Sequence, residues 1–184
     1  TVYLDANNNN TFDAATPVNV SSTNVPLVIS AGNFLNSSTL VSGVTGVIAD
    51  LDVSLDITHT WDADIAVSLI APNGRRIELV VYQGLDGDNF TNTRFDDEAT
   101  TNIDDGTPPY TGSYQPSIDL LSAFDGLDPN GTWRLEILEE SVFDSGMLNS
   151  WTLHFTTSER SQVTDANGNY EFNVTPGNYI VREV

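Results

Sequence analysis

The chain contains no cysteine, which removes disulfides, zinc–thiolate sites and thiol nucleophiles together. It is also poor in positive charge: six Lys plus Arg stand against twenty-six Asp plus Glu, a formal net charge of −20. Phosphate backbones are held mainly by basic side chains that displace counterions, so the charge balance argues against nucleic acid and against anionic membrane surfaces. No apolar run approaches the roughly 20 residues of a membrane span, and no basic start leads into an apolar signal segment. The chain therefore reads as soluble, with no membrane insertion. Helical periodicity is almost absent, which leaves β-structure to form the core.

What is present is alternation. In "DLDVSLDI", Leu51, Val53, Leu55 and Ile57 interleave with Asp50, Asp52, Ser54 and Asp56, as a strand with one buried face requires. "TWRLEI" places Trp133, Leu135 and Ile137 inward, and "WTLHF" does so with Trp151, Leu153 and Phe155. "DIAVSLIAPNGRRIELVVY" reads as a hairpin turning at Asn73-Gly74, with Pro72 ending its first strand. Only "SIDLLSAF" offers a helical turn. Short strands separated by Gly, Asn and Asp turns indicate an all-β fold, a jelly-roll-like β-sandwich in which two sheets bury their inner faces on each other.

The ends differ from the middle. "TVYLDANNNNTFD" is a strand running into an Asn/Asp loop, and "VTDANGNYEFNVTPGNYIVREV" reads as two strands around Pro176-Gly177. Neither end carries enough apolar residues for its own core, so the two are expected to pair and bring the termini together.

Residues 86–106, "DGDNFTNTRFDDEATTNIDDG", hold seven carboxylates and one arginine. Like charges a few ångström apart repel by about 1 kcal/mol even in water, so a cation is the missing partner. Calcium takes oxygen ligands from adaptable loops. Asp86 to Gln115 is long for a β connection, and long ordered loops usually carry function. Asp88, Asn89, Asp96 and Asp97 are the first candidate ligands, with Asp86 beside them, and Asp62, Asp64 and Asp144 lie at strand ends able to reach the same rim. In "DANNNNTFD", Asp5, Asn7, Asn9, Thr11 and Asp13 alternate as in an EF-hand-like loop. Asn10 replaces its glycine and Thr16 its closing glutamate, so a site there would borrow Asp165.

His154 falls on the solvent parity, whereas His59 falls on the inner face as a structural histidine paired with a nearby Asp. No G-x-S-x-G elbow appears, and carboxylate pairs are unavoidable in so acidic a chain, so no catalytic residue is expected. Tyr110 and Tyr114, in "PPYTGSY", are read as loop residues able to stack on a sugar, which makes a carbohydrate-binding module the alternative.

"DITHTWDADIAVSLIAPNG", "FDDEA", "YTGSYQP", "LSAFDG", "NGTWRLEI" and "DSGMLNSWTLHF" together resemble the P domain, a β-sandwich module of proprotein convertases and bacterial secreted proteases. Glu139 departs from the Asp usual at its position in bacterial versions. The flanks "TVYLDANNNNTFDAAT" and "TDANGNYEFNVTPGNYIVREV" resemble the Cna B-type or SdrD B-like repeat of bacterial surface proteins. The resemblances imply a P domain over 17–158 inserted into a discontinuous B-type unit over 1–16 and 159–184, whose termini form a small B-type β-sandwich fragment. They imply Ca2+ as the bound ion, an extracellular or cell-surface setting, a longer multidomain chain, and a structural or adhesive role toward a protein or glycan ligand. Assistance to a protease partner is the competing role.

Overall fold

The computed structural model describes residues 1–174 and 176–184. Among the described residues thirteen strands follow one another: β1 (Val2–Leu4), β2 (Thr16–Ser21), β3 (Leu27–Ile29), β4 (Phe34–Val41), β5 (Val47–His59), β6 (Ile65–Ile70), β7 (Arg76–Val81), β8 (Phe90–Phe95), β9 (Tyr110–Tyr114), β10 (Gly131–Glu139), β11 (Gly146–Ser158), β12 (Ser161–Gln162) and β13 (Val181–Glu183). Short 3-10 turns occupy Asp62–Asp64, Ile103–Asp105 and Leu121–Phe124. The architecture is an all-β sandwich.

One sheet runs β4-β10-β6-β7, and the facing sheet runs β2-β11-β5-β8-β9, with β3 also pairing β11. The pairings are antiparallel except for β8 with β9. Between the sheets, Trp133 meets Phe124 and Phe155 edge-on at 5.2 and 5.5 Å. Its indole N–H donates to the Pro129 carbonyl at 2.8 Å, and that of Trp151 to Ser37 Oγ at 2.7 Å, so both rings are buried without an unpaired donor. The expected inward faces of β5, β10 and β11 are all buried. The Asn73-Gly74 hairpin joins β6 and β7, with Gly74 at φ 87°.

Two expectations are corrected. Asp86 to Gln115 is not one long connection, because it contains β8 and β9. Asn92, at φ 48°, sits in a register irregularity that breaks the period-two signal between Phe90 and Thr93. At the C-terminal end, among the described residues, only the second of the strands expected around Pro176-Gly177 forms, as β13. The three-stranded sheet β12-β1-β13 does bring the two ends together. Among the described residues no second layer covers Val163, Tyr170 and Val174, which stay exposed.

Candidate metal centre

The candidate ligands fall into four groups, the first two of which are linked through Asn89. The first surrounds Asp62, which begins the turn between β5 and β6 and is fully buried. The β7–β8 loop closes over it because two glycines allow the approach: a Cβ on Gly84 would lie 2.9 Å from Asp62 Cβ, and one on Gly87 would lie 2.3 Å from Pro108. Asp62 donates its backbone N–H to the Gly87 carbonyl at 2.9 Å, and its Oδ1 accepts the Asn89 N–H at 3.0 Å. Oδ2 is buried with no partner. Burial pushes the Asp62 carboxyl up to about 7 against the lowering by Asn89, and the nearby Asp88 adds to the rise. Asp88 and Asp86 lie on the same loop, closer to solvent. An orphaned buried oxygen beside more accessible carboxylates, with only oxygen donors, fits a hard divalent cation. The side-chain oxygen of Asn89 is already engaged, accepting the His59 N–H at 3.0 Å.

A second group centres on His59, whose Nε2 meets Glu139 Oε2 at 2.6 Å with both side chains wholly buried. The histidine partner is therefore Glu139, not an aspartate. Burial pushes the Glu139 carboxyl up, against the lowering by the Ser141 N–H and by His59. Asp64 and Asp144 flank this pair. Asp144 accepts from Ser141 and Thr60 hydroxyls at 3.0 Å each, and these bonds hold its carboxyl below the usual range.

Asp96 and Asp97 form the third group, away from Asp62. Both Asp97 oxygens are taken by the backbone N–H groups of Leu121 and Ser122 at 2.8 Å, so its charge caps the Leu121–Phe124 turn. Asp96 Oδ1 accepts the Glu98 N–H at 2.8 Å. Asp50, Asp52 and Glu98, of which alternation alone placed the two aspartates on a solvated face, gather beside them: one carboxylate oxygen from each lies within 4.8 Å of the other two. Asp52 pairs through Oδ2 with Arg94, while burial, Asp96 and Asp50 raise its carboxyl. Glu98 is raised by burial, then by Asp50 and Asp96.

The N-terminal loop uses its acids internally. Asp5 accepts the Asn9 and Asn10 N–H groups at 3.1 Å each and pairs with Arg182. Burial pushes the Asp5 carboxyl up, but Arg182 and the two N–H groups outweigh it and leave it lowered. Asn7 Oδ1 accepts the Asn9 N–H at 3.1 Å, and Asn9 Oδ1 accepts the Thr11 N–H at 2.7 Å. Asp13 Oδ2 accepts the Asn7 and Asn9 amides at 2.7 and 3.1 Å. Glu159, missed by sequence reasoning, clamps the loop by accepting the Ala6 and Asp13 N–H groups at 2.7 and 3.2 Å. Asp165 is bonded within its own turn, to Asn167 and Asn169, so the borrowed cross-chain group is Arg182. Asp5, Asn7, Asn9 and Asp13 thus each accept at least one N–H group, and Asp5 also pairs with a guanidinium.

Two aromatic and polar arrays bear on other chemistry. Tyr110 is 1% exposed on β9, stacked on Phe90 at 4.9 Å, so it offers no face to a sugar; Tyr114 packs edge-on against it. Ser54 Oγ lies 2.8 Å from His154 Nε2, and His154 Nδ1 lies 2.9 Å from Asn19 Oδ1. That is a nucleophile–base–orienter order on the face of a central strand, where Ser54 pairs with Thr152 on one side and Arg94 on the other.

The sequence pattern of the proprotein convertase P-domain family matches residues 48–155. Leupeptin-inactivating enzyme 1 of Streptomyces exfoliatus is 29% identical over 153 residues, 79% of this chain and 28% of its own length. The calcium-dependent protease of Trichormus variabilis is 28% identical over 109 residues, 59% of this chain and 14% of its own length. A serine protease of Aeromonas sobria, solved in complex with its chaperone, aligns at 17% identity and a TM-score of 0.48 over 79% of this chain and 26% of that one. The chain thus spans 28% or less of each of these relatives.

Proposed function

Because the chain belongs to the proprotein convertase P-domain family, we propose that it is a non-catalytic, calcium-stabilised accessory module of a secreted or cell-surface bacterial protein. The observation that carries the reading is the buried Asp62, whose second oxygen lacks a partner under a glycine-hinged acidic loop. Calcium at Asp62 and Asp88, with Asp86 on the same loop, would supply the missing charge and tie the β5–β6 and β7–β8 connections together. Binding only to the folded state stabilises by about 2.7 kcal/mol at a hundredfold excess over Kd. The relative named a calcium-dependent protease supports the choice of ion.

Residues 17–158 are the P domain in this reading, and 1–16 with 159–184 form a discontinuous B-type unit, supported by the β12-β1-β13 sheet. The role is structural or adhesive, within a longer multidomain chain. A second reading, assistance to the folding or substrate contact of a protease partner, is favoured by the protease names of the relatives. A glycan role loses its main support with Tyr110 buried.

Thermal unfolding in excess calcium and after chelation tests the ion. A calcium-dependent rise of roughly 5–10 °C is expected for a domain of this size. Equal midpoints would refute calcium stabilisation.

A further inference from the structure

We propose that Asp50, Asp52 and Glu98 form a calcium site on the outer face of the six-stranded sheet, separate from the rim around Asp62. The inference rests on the calcium reading above and locates a further ion. Strand β5 turns Leu51 and Val53 into the core and so presents Asp50 and Asp52 together on its other face. Strand β8 runs antiparallel beside it, with Val53 opposite Phe95, so the chain leaving β8 carries Asp96 and Glu98 back past Asp52 and Asp50. Three carboxylate oxygens thereby come within 4.8 Å of one another. Oxygens bound to one calcium at about 2.3–2.6 Å are at most about 5 Å apart, so the separation suits a shared ion.

A cluster of acids alone would be a solvated patch. Here one member cannot be solvated: the Asp52 side chain is 9% exposed, and its Oδ1 is buried without a hydrogen-bond partner. Arg94 serves only Oδ2, and its own Nε is also buried and unpaired. Asp96 and Asp125 face the same ground, since Asp96 acts on Asp52 and Glu98, and Asp125 feels Asp50. One guanidinium therefore stands against five carboxylates. Asp97 is not a ligand, because both its oxygens hold the Leu121–Phe124 turn. The exposed Glu98 and half-buried Asp50 leave an entry path, and water would complete the coordination.

The test uses the full chain, wild type and an Asp50→Asn/Glu98→Gln double variant, with Asp88→Asn as the rim control. Calorimetric titration with calcium chloride gives stoichiometry and affinity, and thermal unfolding is followed in calcium and in chelator. The double variant is expected to lose one bound ion, or to bind it at least about tenfold more weakly, while its midpoint in chelator stays equal or rises as repulsion is relieved. Wild-type stoichiometry and affinity in the double variant would overturn the site, as would a lower midpoint in chelator. If wild type still gains stability from calcium in that case, and Asp88→Asn removes the gain, the general calcium reading survives without this site. If wild type gains nothing, both fall.

Discussion

Replacing Asp62 by asparagine should remove a specific pH dependence of stability. The Asp62 carboxyl is shifted from 3.8 to about 7, first by burial and then by Asp88, against one N–H bond from Asn89. A folded-state pKa raised above the unfolded value means that the native protein holds a proton the unfolded chain has released. The resulting stabilisation is complete below about pH 3.8 and is lost as pH rises through about 7. At about 1.36 kcal/mol per pH unit, moving from roughly pH 5 to pH 8 forfeits roughly 2.7 kcal/mol at this group. The asparagine side chain would keep the acceptor for the Asn89 N–H but never ionise, so the variant lacks that loss, whatever its amide costs at both pH values. Urea unfolding of both proteins at about pH 5 and pH 8, in chelator, isolates this contribution as a difference of differences, which cancels the other titrating groups. Equal pH dependence in the two proteins would refute the argument that Asp62 is ionised at a desolvation cost. A larger loss in the variant would refute it more strongly.

The remaining predictions concern the supports of the sites. Glu139→Leu leaves His59 buried without its partner and should cost about 3–5 kcal/mol in urea unfolding, whereas adding His59→Leu should recover much of it; an unchanged single variant would show that the pair contributes nothing. Gly146→Ala places a Cβ 2.3 Å from the Thr58 carbonyl and 2.5 Å from the His59 ring, and a loss of about 1–3 kcal/mol is expected where β11 meets the end of β5; wild-type stability would mean that the strands separate freely. Arg182→Ala removes the guanidinium from Asp5 and Asn8, and limited proteolysis should cut within residues 7–12 faster while the sandwich core resists as before. Unchanged cleavage would show that the loop is held without it.

How much of this was legible beforehand varies by residue. Trp133 and Trp151 were placed inward by parity alone, because burial of large rings on a period of two leaves little freedom about which face packs. The Asn73-Gly74 turn was equally plain, since few dipeptides adopt its backbone. Strand β8 is hidden in the sequence by its own irregularity at Asn92, and without that strand the sequence offers no partner for Tyr110, which lies on β9. Among the acids, the dense run 86–106 marked a segment short of cations, yet it did not reveal that Asp97 is consumed as a cap. Asp50 and Asp52 looked like ordinary solvent-facing strand positions, and nothing local identified Arg182 or Glu159 as the clamps of the first loop.

The sequence by itself determined the class: charge composition argued against polyanionic partners, missing cysteine left this chain without thiol chemistry, and alternation required two packed β layers. Those are properties of each segment alone, governed by solvation and backbone geometry within a few residues. Only the tertiary structure decided which carboxylates share a space. Strand period gives the face a side chain occupies but not what lies across from it, and the register between β5 and β8 arises from burying Val53 and Phe95 together. That long-range burial brings Glu98 to Asp50, and the glycine-hinged loop over Asp62 leaves one of its oxygens unpaired.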